Sequence, residues 1–397
     1  MMRDSYLRRI AERELYLRHI ARQRGFIINP FAYGIAVSSS SAWSTTDKDA
    51  DITVTNLNQT ANITSPALGA IRGNTGFSTG AHQFECTPTV DGSHYIGIGK
   101  STAAITNSFP GSDGNGFGWR GDDSRYYYNG TSVLGGFSFT AADVIGVVWY
   151  AATGDFVIYK NGRFVSIPNI GASGTFYPMW GPSSTSGGTR TCVINVDTQA
   201  YPVAGVTNWA GTITPSAVNC WNSGDKDADV TVLAGGTVAS VTSAGSTIGA
   251  IRGTTGRSSG VYQCEFIIPS STGVSVGGQI VGLGKSTAAV TNSYPGADAN
   301  GYGYFSTNGQ KQNNGTGSAY GATFTNDDVI GVVYDAGAGT IVFYKNGSSQ
   351  GTAFSSVSGT LYPMWGPGTS SSGTRRIHLN TGQTAFVYPV GGATAWG

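Results

Sequence analysis

The chain has 397 residues, a net charge of +1, and only 11% charged residues beside 60 glycines, where an ordinary soluble domain carries about 25% charge. That length holds two domains of about 170 to 190 residues, each able to bury about 70% of its unfolded surface without disulfides or metals. Such a composition excludes a disordered chain, leaves no apolar run long enough to span a membrane, and gives a mildly acidic body that disfavours nucleic acid.

The amino end stands apart. Residues 1–25 hold seven arginines against Asp4, Glu12 and Glu14, so this head carries +4 and the remainder −3. It does not read as a signal peptide, because arginine recurs through Arg24 and no apolar core of the needed length appears. From Asp4 or Ser5, a cap, to Gly25, a stop, the spacing predicts a helix. Such a helix gathers Tyr6, Leu7, Ile10, Leu17, Ile20 and Ala21 on one arc of about 140°. Arg8, Arg18, His19 and Arg22 line the other side, although Arg13 and Leu15 break the separation. With so few core contacts the helix cannot stand alone. It is therefore read as a docking element, through Tyr6, Leu7, Arg8, Ile10, Leu17, Arg18, Ile20 and Arg22, toward a larger assembly or copies of itself. Its internal echo, Tyr6-Leu7-Arg8-Arg9-Ile10-Ala11 and Tyr16-Leu17-Arg18-His19-Ile20-Ala21, has a period of ten residues. That period breaks a heptad seam and favours a multi-protein socket over a coiled coil. Residues 26–37 read as a linker.

Beyond the linker the chain repeats itself. Trp43 with Asp47-Lys48-Asp49-Ala50-Asp51 returns as Trp221 with Asp225-Lys226-Asp227-Ala228-Asp229, and Gly69-Ala70-Ile71-Arg72-Gly73 returns as Gly249-Ala250-Ile251-Arg252-Gly253. After a five-residue insertion between Ser270 and Gly278, Gly97-Ile98-Gly99-Lys100-Ser101 matches Gly282-Leu283-Gly284-Lys285-Ser286. Tyr177-Pro178-Met179-Trp180-Gly181-Pro182 recurs as Tyr362-Pro363-Met364-Trp365-Gly366-Pro367. These matches place the domains at 38–211 and 212–397. Within each, short runs of Val, Ile, Tyr and Phe alternate with Gly, Asn, Asp and Ser, the pattern of antiparallel strands. Asn161-Gly162 and Asn346-Gly347 each follow such a run and signal a tight hairpin. The fold class is all-β: two tandem antiparallel sandwiches behind one amphipathic helix.

Three segments carry a family resemblance. Phe77-Ser78-Thr79-Gly80-Ala81-His82-Gln83-Phe84-Glu85 and Ser258-Ser259-Gly260-Val261-Tyr262-Gln263-Cys264-Glu265, the run Asp328-Val329-Ile330-Gly331-Val332-Val333-Tyr334-Asp335 with Thr340 to Gly347, and Tyr362-Pro363 with Asn380 resemble the SPRY (B30.2) signature. The first half departs at Tyr150, where the signature has an aspartate, and both halves carry Met-Trp after Tyr-Pro. The resemblance covers most of the chain and implies a concanavalin-like sandwich that binds partners through its loops without chemistry.

No catalytic constellation is common to both halves. Gly99-Lys100-Ser101 lacks the earlier glycine of a phosphate loop, because His94 stands there and Gln279 in the other half. Asp47, Asp49 and Asp51 alternate invitingly, but the calcium loop's glycine and glutamate positions hold Ile52 and Asn58. Asp113-Gly114-Asn115-Gly116 reads as turn chemistry first. No histidine recurs. Glu85 and Glu265 do recur, each alone, whereas glycoside hydrolysis needs paired acids. Cys86, Cys192, Cys220 and Cys264 align with apolar residues and read as buried thiols. The expectation is therefore a non-enzymatic protein with no cofactor and no metal.

Binding is expected in the turn-rich stretch after Phe109, where Trp119, Arg120, Asp122, Asp123, Arg125, Tyr126 and Tyr128 cluster. Tyr127 lies on the opposite face from Tyr126 and Tyr128, so part of the cluster is core. Its counterpart, with Tyr302 and Tyr304, lacks the charges, so the two modules should differ in specificity. Trp180 and Trp365 are placed either to stack on a ligand or to plug the sandwich end. A basic docking peptide before low-charge tandem sandwiches resembles bacteriophage virion proteins. The leading expectation is a virion component, tail-fibre-like or capsid-decorating, held to other virion proteins through residues 1–37 and touching host surface glycan or protein. The alternatives are an intracellular SPRY adaptor and, weakest, a carbohydrate-active enzyme.

Overall fold

Strands form where Val, Ile, Tyr and Phe recur, and they end at residues that accept a positive φ. Asn161 and Gly162 (φ 51° and 77°) turn Asp155–Lys160 into Arg163–Ser166, and Asn346 and Gly347 (φ 50° and 82°) turn Thr340–Lys345 into Ser348–Phe354. The computed structural model describes residues 42–397 apart from 65–67, 91, 135–137, 167–170, 183–187, 204, 212–219, 244–248, 270–277 and 369–372. The expected helix with its docking residues Tyr6 to Arg22, and the 26–37 linker, lie outside the described residues.

Each half is an antiparallel two-sheet sandwich, and no α-helix occurs among the described residues. In the first half a seven-stranded sheet runs in the order Trp43–Lys48, Ile71–Gly73, Tyr177–Pro182, His94–Gly99, Gly116–Arg120, Arg125–Tyr128, Thr131–Leu134. An eight-stranded sheet faces it, in the order Arg163–Ser166, Asp155–Lys160, Ile145–Tyr150, Ala81–Pro88, Thr189–Asn195, Thr60–Thr64, Thr53–Thr55, with Thr207–Asn208 added beside Ala81–Pro88. The second half repeats both orders, from Trp221–Lys226 to Thr316–Ala319 and from Val230–Leu233 to Ser348–Phe354.

Alternation decides what each strand buries. Val147, Trp149, Phe156 and Ile158 point between the two sheets of the first sandwich and join its core. Val148, Tyr150, Val157 and Tyr159 point the other way and are also buried, in a cluster with Val203 and Val206 of the same sandwich and Leu233, Val238, Ile267 and Val329 of the second. The two eight-stranded sheets therefore pack on each other, and the stack has four sheets and three apolar layers. At about 10 Å per packed layer, the two seven-stranded sheets form outer faces about 30 Å apart.

Candidate functional site

Most charges that recur in both halves are spent on holding the fold. Arg72 grips Asp47 through two hydrogen bonds of 2.6 Å, and Arg252 grips Asp225 at 2.8 and 2.6 Å. Asp49 accepts the backbone N–H groups of Asp51 and Asn107, as Asp227 does from Asp229 and Asn292. Asp113 accepts from Ala104 and Asn115, as Asp298 does from Ala289 and Asn300. Glu85 takes the N–H groups of Ala200 and Tyr201 at 2.7 and 2.8 Å, and Glu265 those of Val387 and Tyr388 at 3.0 and 2.8 Å. Each glutamate thus clamps the Tyr-Pro-Val segment to the sheet. Burial pushes the Glu85 carboxyl up to about 7 against these donors. All four cysteines are buried thiols. Among the described residues no group of three or more His, Cys, Asp or Glu side chains could hold a metal ion, and no helix is long and apolar enough to cross a membrane.

The charges that do not recur converge on the outer face of the first seven-stranded sheet. Arg120, at the end of its strand, donates to Asp122 through Nε (2.5 Å) and Nη2 (2.8 Å), and lies 3.4 Å from Asp123. Ser93 donates to Asp122 and accepts from Arg120, and the Tyr127 hydroxyl donates to Asp123 at 3.0 Å. Partial burial works against the Arg120 charge, yet its bonds to Asp122 and Tyr127 hold its pKa above the ordinary arginine value. Burial likewise opposes the Asp122 anion, and Arg120 with Ser93 overcomes it and holds the carboxyl below its usual value. An aromatic floor supports the network: Tyr95 stacks on Phe109 at 4.2 Å, meets Tyr127 edge-on at 5.0 Å, and carries the Arg120 guanidinium 5.7 Å over its ring. The following Pro110 packs closely on Gly118, where a Cβ would sit 2.2 Å from the Pro110 carbonyl oxygen. Pro295 lies over Gly303 at the same distance, so both halves share the scaffold. In the second half Phe305, Thr307, Asn308 and Gln312 replace Arg120, Asp122, Asp123 and Tyr127, and the network has no counterpart.

The sequence-derived candidates separate by depth. Trp119, Trp180, Tyr304 and Trp365 have no exposed surface and Tyr126 only 7%. They are core residues and present no face for a ligand to stack on. The Trp180 indole donates to His94 Nδ1 at 3.1 Å, and that of Trp365 to Gln279 Oε1 at 3.0 Å. Asp122, Arg125 and Tyr128 are exposed, while Arg120, Asp123 and Tyr302 are half-buried. Arg125 donates to Ser132 at 3.1 Å, and Tyr128 stacks on Phe117 at 4.4 Å with 45% of its surface open. Tyr302 meets Phe354 edge-on at 5.1 Å. Ser93 and Tyr95, which lie before the expected stretch and which no motif marks, belong to the site, and so do Phe109 and Tyr127 within that stretch. Aligning the halves does point to them, since Gly278, Ile280, Tyr294 and Gln312 stand in their places.

A cavity of about 440 Å³ opens where the sandwiches meet, lined by Lys160, Arg163 and Val165 on one side and Ala385, Phe386 and Val387 on the other. Lys160 is already paired with Asp143 at 3.0 Å, as Lys345 is with Asp328 at 3.2 Å, so this lysine is part of the shared scaffold.

A family model described as SPRY domain matches residues 81–197 and again 265–383. Ran-binding protein 9 of Xenopus laevis is 38% identical over 112 residues, 28% of this chain and 20% of that protein. Ran-binding protein 9 of Homo sapiens is 38% identical over the same 28% of the chain and 15% of its own length. The Drosophila melanogaster Ran-binding proteins 9/10 homolog is 36% identical over 98 residues, 24% of this chain and 10% of that protein. The chain spans a fifth or less of the length of these relatives. Among solved structures, the SPRY domain of human HERC1 is similar at 26% identity with a TM-score of 0.35, covering 40% of this chain and 96% of that one. These animal relatives overturn the expectation of a bacteriophage virion component with a virion location, and nothing supports the expected virion partners. A basic amino-terminal segment and low-charge, glycine-rich sandwiches carried that expectation, and neither feature is peculiar to virion proteins.

Proposed function

The chain belongs to the SPRY domain family, whose domains mediate protein–protein interaction, and on that premise we propose that it is a non-enzymatic adaptor working inside cells. One observation carries this reading. On a scaffold common to both halves, only the first sandwich builds the Arg120–Asp122–Asp123–Tyr127 network, and Asp122 and Arg125 stand exposed on the same face. An ordered charged surface over an aromatic floor fits a protein partner, because aromatic and guanidinium groups are enriched at interface hot spots. The corresponding face of the second sandwich, with Phe305, Thr307, Asn308 and Gln312 in place of the network, takes a different, less charged partner; Tyr302, on the core side of its strand, is assigned only to the margin of that sheet. We assign the modules to 38–211 and 212–397, and residues 1–37, with Tyr6, Leu7, Arg8, Ile10, Leu17, Arg18, Ile20 and Arg22, to a docking arm for a further protein. The relatives' name makes Ran the first partner to assay.

The test immobilises the full chain and measures capture of purified Ran and of proteins from animal-cell extract. Arg125→Glu should lower capture of the first module's partner at least about tenfold, the loss of about 1.4 kcal/mol typical of a hot spot. Unchanged capture by this variant sinks the site assignment.

A further inference from the structure

The contact between the sandwiches uses different faces of the two copies. The first sandwich contributes Ile145–Tyr150, Asp155–Lys160 and Arg163–Ser166, through Val148, Tyr150, Val157, Tyr159 and Phe164. The second contributes a different region of its eight-stranded sheet, through Leu233, Val238, Ile267 and Val329. Phe164 stacks on the His378 ring at 4.3 Å and 9°, Arg163 donates to the Asp327 carbonyl at 3.3 Å, and Asp155 and Arg376 attract each other across the boundary. Such a head-to-tail contact joins two unlike faces. If both copies carried both faces, the same contact would repeat from chain to chain into a ring or a filament.

Each copy carries only one of the two faces complete: the second sandwich keeps Val333, Val342 and Tyr344 where the first has Val148, Val157 and Tyr159, and the faces diverge at the positions around them. Strand pairing sets the equivalences: Thr55 opposes Thr60 as Leu233 opposes Val238, and Val193 opposes Thr60 and Thr87 as His378 opposes Val238 and Ile267. Where the second sandwich puts Leu233, Val238 and Ile267 into the contact, the first has three threonines at its unused face. Where the first puts Tyr150, Asp155 and Phe164 into the contact, the second has Asp335, Thr340 and Ser349. The turn beside the contact agrees. Tyr150 packs on Gly235, where a Cβ would lie 2.7 Å from its ring, and the equivalent turn of the first sandwich holds Leu57 with 70% of its surface exposed. Leu57 and Gly235 share the left-handed conformation, at φ 53° and 63°.

We propose that this contact is a permanent one-way joint: complementary faces, one on each copy, lock the two sandwiches into a single rigid body and limit the series to two. The joint stands on its packing alone and does not depend on what either outer sheet binds. Its consequence is a fixed back-to-back presentation, in which the two outer faces address separate partners on opposite sides.

The test uses the full chain with a protease site introduced between residues 212 and 219. After cleavage the halves should co-elute in size-exclusion chromatography as one species of the intact chain's size, 41.1 kDa. Gly235→Leu in the same chain should make the cleaved halves elute separately, with each half keeping its β-sheet circular dichroism, because Leu57 occupies the same turn conformation. Separation of the cleaved wild-type halves overturns the joint, and so does co-elution of the Gly235→Leu halves. Loss of sheet signal in the variant also counts against it, because a defect in the joint alone leaves both cores intact.

Discussion

His378 shows how one residue senses its place between two modules. Val193 occupies the same position in the first half and pairs with Thr60 and Thr87. His378 is fully buried under Phe164, and neither ring nitrogen has a hydrogen-bond partner among the described residues. Burial lowers its pKa to about 3 from an ordinary 6.5. Between those values the unfolded chain binds one more proton than the folded one, so this group's stability contribution is lost as pH falls below 6.5, at about 1.4 kcal/mol per unit. Glu85, Glu265 and Asp155 act with the opposite sign: burial raises them, so their contribution is lost as pH rises toward their folded values. The histidine is therefore read best as a difference. His378→Val should gain on wild type by about 1.4 kcal/mol for each unit between pH 6 and pH 4 in urea unfolding. A gap that stays constant with pH would rule out a neutral buried imidazole. Nothing in the sequence marked this position beyond its failure to recur, because burial by another module leaves no local signature.

At the scale of the element, the hairpins were legible and the doubly buried strands were not. Asn-Gly announces a left-handed pair of residues, and both copies adopt it. The structure adds that the asparagines also bracket the sheet: Asn161 accepts from Val144 and donates to Asp143, as Asn346 does with Val329 and Asp328. Gly162 has a second constraint, since a Cβ there would sit 2.6 Å from the Tyr201 ring. Gly162→Ala should therefore cost about 2 kcal/mol, the left-handed strain of a non-glycine residue plus this collision. Thermal unfolding with no drop in midpoint would show that the turn relaxes. Ile145–Tyr150 and Asp155–Lys160 resemble their second-half equivalents closely, yet Val157 and Tyr159 are buried while Val342 and Tyr344 are half-exposed. Val, Ile and Tyr suit one covered face as well as two, so the difference lies in what packs on them.

Across the whole molecule, the polar residues on the unused faces oppose polymerisation, as natural sheet proteins blunt surfaces that would otherwise self-associate. Removing that opposition should be sufficient to extend the series. Asp335→Tyr with Ser349→Phe rebuilds one face, and Leu57→Gly with Thr60→Val and Thr87→Ile rebuilds the other. Light scattering should find each set alone monomeric and the combined variant forming head-to-tail oligomers that lengthen with concentration. A combined variant that remains monomeric would show that these positions do not set the limit.

By itself the sequence determined the two tandem sandwiches, their hairpins, their repeated aspartates and glutamates and the asymmetry of charge after Phe109, because strand period, turn conformation and internal repetition are local properties of the chain. Only the tertiary structure decided which aromatics are core, as with Trp119, Trp180 and Trp365, and that recurring acids are taken up by backbone N–H groups and by arginines. It also decided that the modules are joined face to face. Burial and hydrogen-bond partners come from residues distant in sequence, and a face reads the same whether water or another sheet lies against it.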